Sequence, residues 1–274
     1  MTIVKNILFI LFLFAVIPAS SQQLPMQEEL IIKDSISDFT VDNLGNIYLV
    51  TASQQLKKLD NKYDSVGNFN NVRRYGMLYS LDVSNPLRVL LFYKDYNTVL
   101  ILDRFLNVRT TIDLRRSNLL QCSAIAQSYD NNIWLFDELE NKIKKIDENG
   151  NLLLESPDFR VLFDAPPRPA FLEDYNRFLY AYDSIRGLLV MDYFGANKNL
   201  LAFKGWKNFH GMQSGIVATD STGIIYYEPG TLNTEHYLLP ALLLKAIKIR
   251  VSGSKLYALL QDKRLHIYQL QNNR

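Results

Sequence analysis

The chain has 274 residues, of which 48% are hydrophobic, 12% aromatic and 21% charged. That balance supports a sizeable core and excludes a disordered or low-complexity protein. Thirty basic against twenty-eight acidic residues leave a net charge of +2, which argues against a dedicated nucleic-acid binder; the single cysteine, Cys122, excludes an internal disulfide framework or a multi-cysteine zinc site.

The first predicted element is an export signal over residues 1–21. Lys5 supplies a positive start, Ile7 to Ile17 is an unbroken apolar run of eleven residues, and Pro18 ends it. Ala19-Ser20-Ser21 then fits cleavage after Ser21. A spanning helix needs about 20 apolar residues, so the run is too short for an anchor. No later stretch approaches that length, and no cysteine near the cleavage site opens a lipoprotein route. The expectation is one exported domain over 22–274 with no membrane span in the mature chain. The periplasm is the expected compartment, and one thiol suits its oxidising conditions.

The remaining chain repeats one unit: a strand ending in Asp, a short turn, and a second strand ending in an acid. Blade one is IYLVTASQQ-LKKLD (Ile47 to Asp60), without the first Asp, and blade two is VLLFYKD-YNT-VLILD (Val89 to Asp103). Blade three is IWLFD-ELENK-IKKID (Ile133 to Asp147) and blade four FLYAYD-SIRG-LLVMD (Phe178 to Asp192). Blade five is GIVATD-STG-IIYYE (Gly215 to Glu228) and blade six LYALLQD-KR-LHIYQ (Leu256 to Gln269). The second strands end at Asp60, Asp103, Asp147, Asp192, Glu228 and Gln269, spaced 43, 44, 45, 36 and 41 residues apart. A period near 40 built from short β-branched and aromatic runs predicts an all-β, six-bladed β-propeller. Inner strands are expected at Asp38–Asp42 and Ser123–Tyr129, and outer strands at Val108–Leu114 and Leu152–Ser156. DNLGN (Asp42 to Asn46) and DENGN (Asp147 to Asn151) carry Gly where a hairpin needs positive φ. No amphipathic helix is expected after residue 21. Blade six lacks an outer strand after Leu270, and Glu29–Asp34 is predicted to supply it and close the ring.

The pieces G-N-I-Y (Gly45 to Tyr48), N-N-I-W (Asn131 to Trp134) and I-K-K-I-D (Ile143 to Asp147) resemble six-bladed propellers of the NHL and YVTN kind. The resemblance covers about residues 27–270. It implies the fold and not an activity, because propellers host enzymes, lectins and scaffolds alike. The Asn- and Lys-rich style without lipidation also resembles exported proteins of the Bacteroidetes group. By compartment, size and fold the chain is similar to the plug of the type IX secretion channel, which implies an accessory of an outer-membrane translocon.

Residues with catalytic chemistry are few. His210, His236 and His266 form no HExxH or i, i+4 pair. His266 and His236 read as half-exposed strand residues, and His210 as channel-lining or core. Ser214 does not sit in a G-x-S-x-G elbow. Asp95, Asp137, Asp183, Asp220 and Asp262 recur at one position per blade, which reads as turn construction, so Asp→Asn changes at Asp137 and Asp183 are expected to be mild. DENGN lacks the register of a calcium loop, Cys122 reads as a small buried residue, and no Walker loop or GxGxxG is present. No cofactor, metal or catalytic residue is nominated. The alternative is a metal-dependent propeller hydrolase of the lactonase type.

Three links depart from the repeat: Phe69–Tyr79, Pro157–Pro169 and the apolar Leu238–Leu244. Loops on rigid scaffolds carry function, and Arg, Tyr and Phe anchor interfaces. Arg73, Arg74, Tyr75, Phe159, Arg160 and Phe163 are therefore the expected partner-binding residues. The predicted function is a non-catalytic protein–protein interaction module whose partner is an envelope protein.

Overall fold

The computed structural model describes residues 22–212, 215–231 and 233–271. The expected export signal at 1–21 and Ser214 lie outside the described residues. The chain is an all-β propeller of six antiparallel sheets, strands a to d running from the axis outward. Blade one is Ile36–Val41, Ile47–Thr51, Leu56–Leu59 and Ser65–Phe69. Blade two is Ser80–Asn85, Arg88–Tyr93, Thr98–Asp103 and Val108–Asp113. Blade three is Cys122–Gln127, Ile133–Asp137, Lys142–Ile146 and Leu152–Glu155. Blade four is Phe171–Tyr175, Phe178–Asp183, Gly187–Asp192 and Asn197–Leu201. Blade five is Lys207–Met212, Gly215–Thr219, Gly223–Tyr227 and Thr234–Leu238. Blade six is Lys248–Ser252, Lys255–Leu259 and Leu265–Leu270.

The closing strand is Met26–Ile32, antiparallel to Leu265–Leu270, with Met26 opposite Leu270 and Ile32 opposite Leu265. Ring closure is as expected, but the strand starts and ends earlier than Glu29–Asp34. A bulge between Glu28 and Leu30 places Leu30 and Ile32 against the core shared by blades six and one. One further strand was not legible: Gln22–Gln23 adds in parallel to the outer edge of blade five.

The core consists of six apolar clusters, each filling the gap between two neighbouring blades. A b or c strand therefore buries both faces. This is why Arg88–Tyr93 and Ile133–Asp137 read as continuous rather than alternating apolar runs, and why they are buried throughout.

Asp residues build the c–d turns. Asp60, Asp103, Asp147 and Asp192 each accept the amides two and four residues on. Asp42 does the same in an a–b turn. The residue three beyond each Asp is left-handed. It is Gly45, Gly150 and Gly195 in three turns, but Tyr63 and Leu106 in the other two. The b–c acids are less uniform. Asp137, Asp183, Asp220 and Asp262 cap amides in their turns. Asp95 sits instead in a single 3₁₀ turn, Lys94–Tyr96. Asp137 does more than build a turn: it is buried and receives the buried Lys144 ammonium at 2.8 Å. The expectation of a mild Asp137→Asn change is corrected on that ground.

Each period-breaking link contains one helical turn: α1 (Val72–Tyr75), α2 (Phe159–Leu162) and α3 (Ala241–Leu244). In a meander the b–c turns and d–a links share one end of every sheet, and the a–b and c–d turns share the other. All three helical turns therefore lie on one face of the disc, the link face. The Asp-built c–d turns crown the opposite, turn face.

Candidate functional site

The inner strands bring Asp38, Asp82, Glu173 and Arg250 into electrostatic range around the axis. Burial, with Asp82 beside it, raises the Glu173 carboxyl to about 7, against the opposing pull of Arg250 and of the Gly211 amide. Burial lowers Arg250, and Glu173, Asp38 and Asp82 hold it up. Asp38 also receives Lys248 at 2.7 Å. Two acids stitch neighbouring blades. Asp82 accepts the Gln127 amide at 2.7 Å, and Asp174 accepts Ser128, Trp134 and Tyr193 donors at 2.6–3.0 Å. These groups come from four inner strands far apart in sequence, and no local motif signals them. Among the described residues, no three His, Cys, Asp or Glu side chains are grouped to hold a metal ion.

The histidines sort by environment. His210 is buried; its Nδ1 meets the Asn208 carbonyl at 2.7 Å and its Nε2 the Val251 backbone. Burial depresses its pKa to about 3, so it is a neutral core residue. His236 is exposed, beside Thr222 and Asp220. His266 differs from its half-exposed expectation: the closing strand covers it and Glu28 meets its Nδ1 at 2.7 Å. Cys122 is buried, and burial pushes its thiol up to about 12, which removes it as a nucleophile.

The link face holds all six expected partner residues, but not in one role. Phe159 is 0% exposed, stacked on Phe136 at 5.7 Å in the core between blades three and four. Tyr75 is 6% exposed and packs on Tyr93 at 5.3 Å between blades one and two. Both are corrected: they pin their links to the ring and are not free to anchor a partner. The cause is the single helical turn, which points one apolar side chain into the inter-blade gap and the next ones out. Phe163 is half-buried, edge-on to Phe159 at 5.8 Å. Arg160 is exposed but held by Asp158 at 2.6 Å and by the Glu140 carbonyl at 3.3 Å. Arg73 is exposed, and Arg74 lies over the Tyr75 ring at 5.1 Å.

The side chains presented to solvent are others. Val161, next to the buried Phe159, is 84% exposed, and Leu162 beside it is also exposed. The first link presents Met77 and Tyr79, and the second Leu120. The b–c turns of blades two, three and four present Tyr96, Leu139 and Ile185. The last link presents Leu242, Leu244 and Ile247, while Leu243 between them is buried. The turn face exposes fewer large apolar residues, among them Leu44, Leu87, Phe105 and Phe194. It also carries a cavity of about 490 Å³ lined by Tyr129, Asp174, Tyr175, Asn176, Arg177 and Tyr193, in which Tyr129 stacks on Tyr193 at 4.5 Å.

Solved structures resemble this chain in fold. The likeness is to catalytic and non-catalytic propellers alike. Virginiamycin B lyase from Staphylococcus aureus, in complex with quinupristin, superposes with a TM-score of 0.59 at 13% identity, over 91% of this chain and 99% of that one. The Pan2 WD40 domain of Neurospora crassa gives 0.61 at 10% identity, over 92% and 98%. PorZ, a surface component of the type IX secretion system of Porphyromonas gingivalis, gives 0.59 at 13% identity; 89% of this chain matches 33% of that one. This chain thus spans about a third of PorZ. No family model and no curated protein matches the sequence.

Proposed function

We propose that this protein is a non-catalytic interaction module of the cell envelope that docks through its link face. The observation that carries the reading is the asymmetry of the disc: among the described residues, large apolar side chains are exposed on four of the six links and three of the six b–c turns of one face, where blade construction does not require them. Exposed apolar surface of this kind marks an interaction site. The pinning of the links by Tyr75 and Phe159 supports the same reading, because a rigid surface loses little entropy on docking. The periplasm is the proposed compartment, on the leader-like residues 1–21. An envelope protein, for which an outer-membrane secretion assembly is the proposed setting, is the partner. The described role of PorZ in type IX secretion is in keeping with that setting. A photo-crosslinker at position 161, compared with one at position 194 on the other face, tests it in the native envelope. Adducts from 161 alone are expected; adducts from 194 alone would reverse the assignment.

A further inference from the structure

The two faces differ in charge as well as in apolar exposure. On the link face Arg73, Arg74, Arg168, Arg186, Lys204 and Lys245 are exposed, and none has an ion pair among the described residues. The exposed acids of that face lacking a cation partner there are Asp95 and Asp164; others, such as Glu138 and Asp158, are held by Lys94 and Arg160. On the turn face Asp60, Asp64, Asp103, Asp147 and Glu228 sit at the c–d turns without an ion pair, but Lys62, Arg104, Arg109 and Arg177 are exposed there without one as well, so the free charges nearly balance. The excess of free positive charge is therefore concentrated on the link face, although the whole chain is near neutral.

The apolar tips are also dispersed. Met77, Leu120, Val161, Ile185 and Leu242 each stand on a different link or turn around the ring. A ring of separate apolar tips interleaved with free cations matches a flat surface that is apolar beneath and anionic on top. In such a layer the tips reach the headgroup–acyl boundary and the cations meet phosphates. We infer that the link face seats the disc on an anionic phospholipid surface. The inference rests on the docking reading for the choice of face and goes beyond it: the link face meets the lipid surface in which an outer-membrane partner sits, beside that partner. The turn face, whose free charges nearly balance, has no comparable attraction to that surface, so it and the rim stay open to the aqueous side.

The test is flotation of the purified protein with two kinds of vesicle. One contains phosphatidylethanolamine and phosphatidylglycerol, the other phosphatidylcholine alone. Binding to the anionic vesicles only, weakening as salt is raised, is expected. Arg73→Glu with Arg74→Glu should weaken it by about tenfold or more. Val161→Glu with Leu242→Glu should also weaken it, and Phe194→Glu, on the turn face, should not. Equal binding to both vesicles, or no salt dependence in the unaltered protein, overturns the inference whatever the variants do. If vesicles are not bound while position 161 still cross-links to an envelope protein, the lipid inference falls and the docking reading stands.

Discussion

The two faces of the disc are built from the same six meanders yet obey different rules. The turn face is made by local chemistry: one Asp per c–d turn in blades one to four accepts two amides of its own turn, so the sequence repeats visibly. The link face is made by long-range packing. The d–a links cross the gaps between blades, and in each of the three helical turns one side chain, Tyr75, Phe159 or Leu243, is buried in the gap while others of its turn face solvent. Repetition there would serve no local bond, so the links are free to diverge. The face that breaks the repeat is therefore the face on which a docking surface can evolve without disturbing the ring.

Both faces depend on ring closure, so the largest expected effect comes from removing it. A chain that begins at Lys33 lacks Met26–Ile32 and exposes the edge of Leu265–Leu270 together with the core of blades six and one. Aggregated or unfolded material is expected in size-exclusion chromatography. A monomer with an unchanged melting point would show that closure does not support the faces.

The next effect separates pin from tip within one helical turn. Phe159→Ala should cost about 3–5 kcal/mol, because it empties a fully buried aromatic site. Val161→Ala, two residues on and exposed, should stay within about 0.5 kcal/mol. Urea unfolding of the two variants checks this. Equal costs would abolish the distinction between buried pins and displayed tips.

A smaller contrast concerns two acids that look equivalent in the repeat. Asp137→Asn leaves the buried Lys144 with Glu140 alone, at 3.0 Å and half exposed, so a loss of about 2–3 kcal/mol is expected. Asp183→Asn keeps an oxygen for the Ile185 and Arg186 amides and weakens only the bond from the Arg168 amide. Its cost should be about 1 kcal/mol. Thermal unfolding of both variants would reveal whether the Lys144 pair sets them apart.

The smallest effect is a change in pH dependence, and it tests the axis that joins the faces. Glu173 has a folded pKa near 7 against 4.5 unfolded, so the folded state binds its proton more tightly. Its contribution is fully present below pH 4.5 and is lost as pH rises through 7. His210 works the other way. Its folded pKa near 3 lies below 6.5, so its contribution is present above pH 6.5 and is lost as pH falls toward 3. Between pH 4.5 and 6.5 the two slopes oppose each other. Glu173→Gln should unmask the histidine slope, giving a stability that falls more steeply on acidification across this window. Chemical denaturation at stepped pH measures it, and an unchanged profile would place Glu173 in an ordinary solvated environment.

The sequence by itself determined the blade count, the order of strands within each blade, closure by an N-terminal strand and the Asp-built turns. Each follows from interactions that are local or repeated: β-branched runs of fixed spacing, and a carboxylate reaching amides of its own turn. It also singled out the three links that break the period. Only the tertiary structure decided which way their side chains face. Phe159 and Val161 are both apolar and two residues apart, and nothing nearby in the chain distinguishes them. The gap beside Phe136 admits one and leaves the other outside. The same holds for Asp38, Asp82, Glu173 and Arg250, which meet only because closing the ring brings four inner strands to one axis. The positive excess of the link face is likewise a property of closure. Free cations scattered through the chain, from Arg73 to Lys245, fall on one side of the disc only once every blade stands in the same direction.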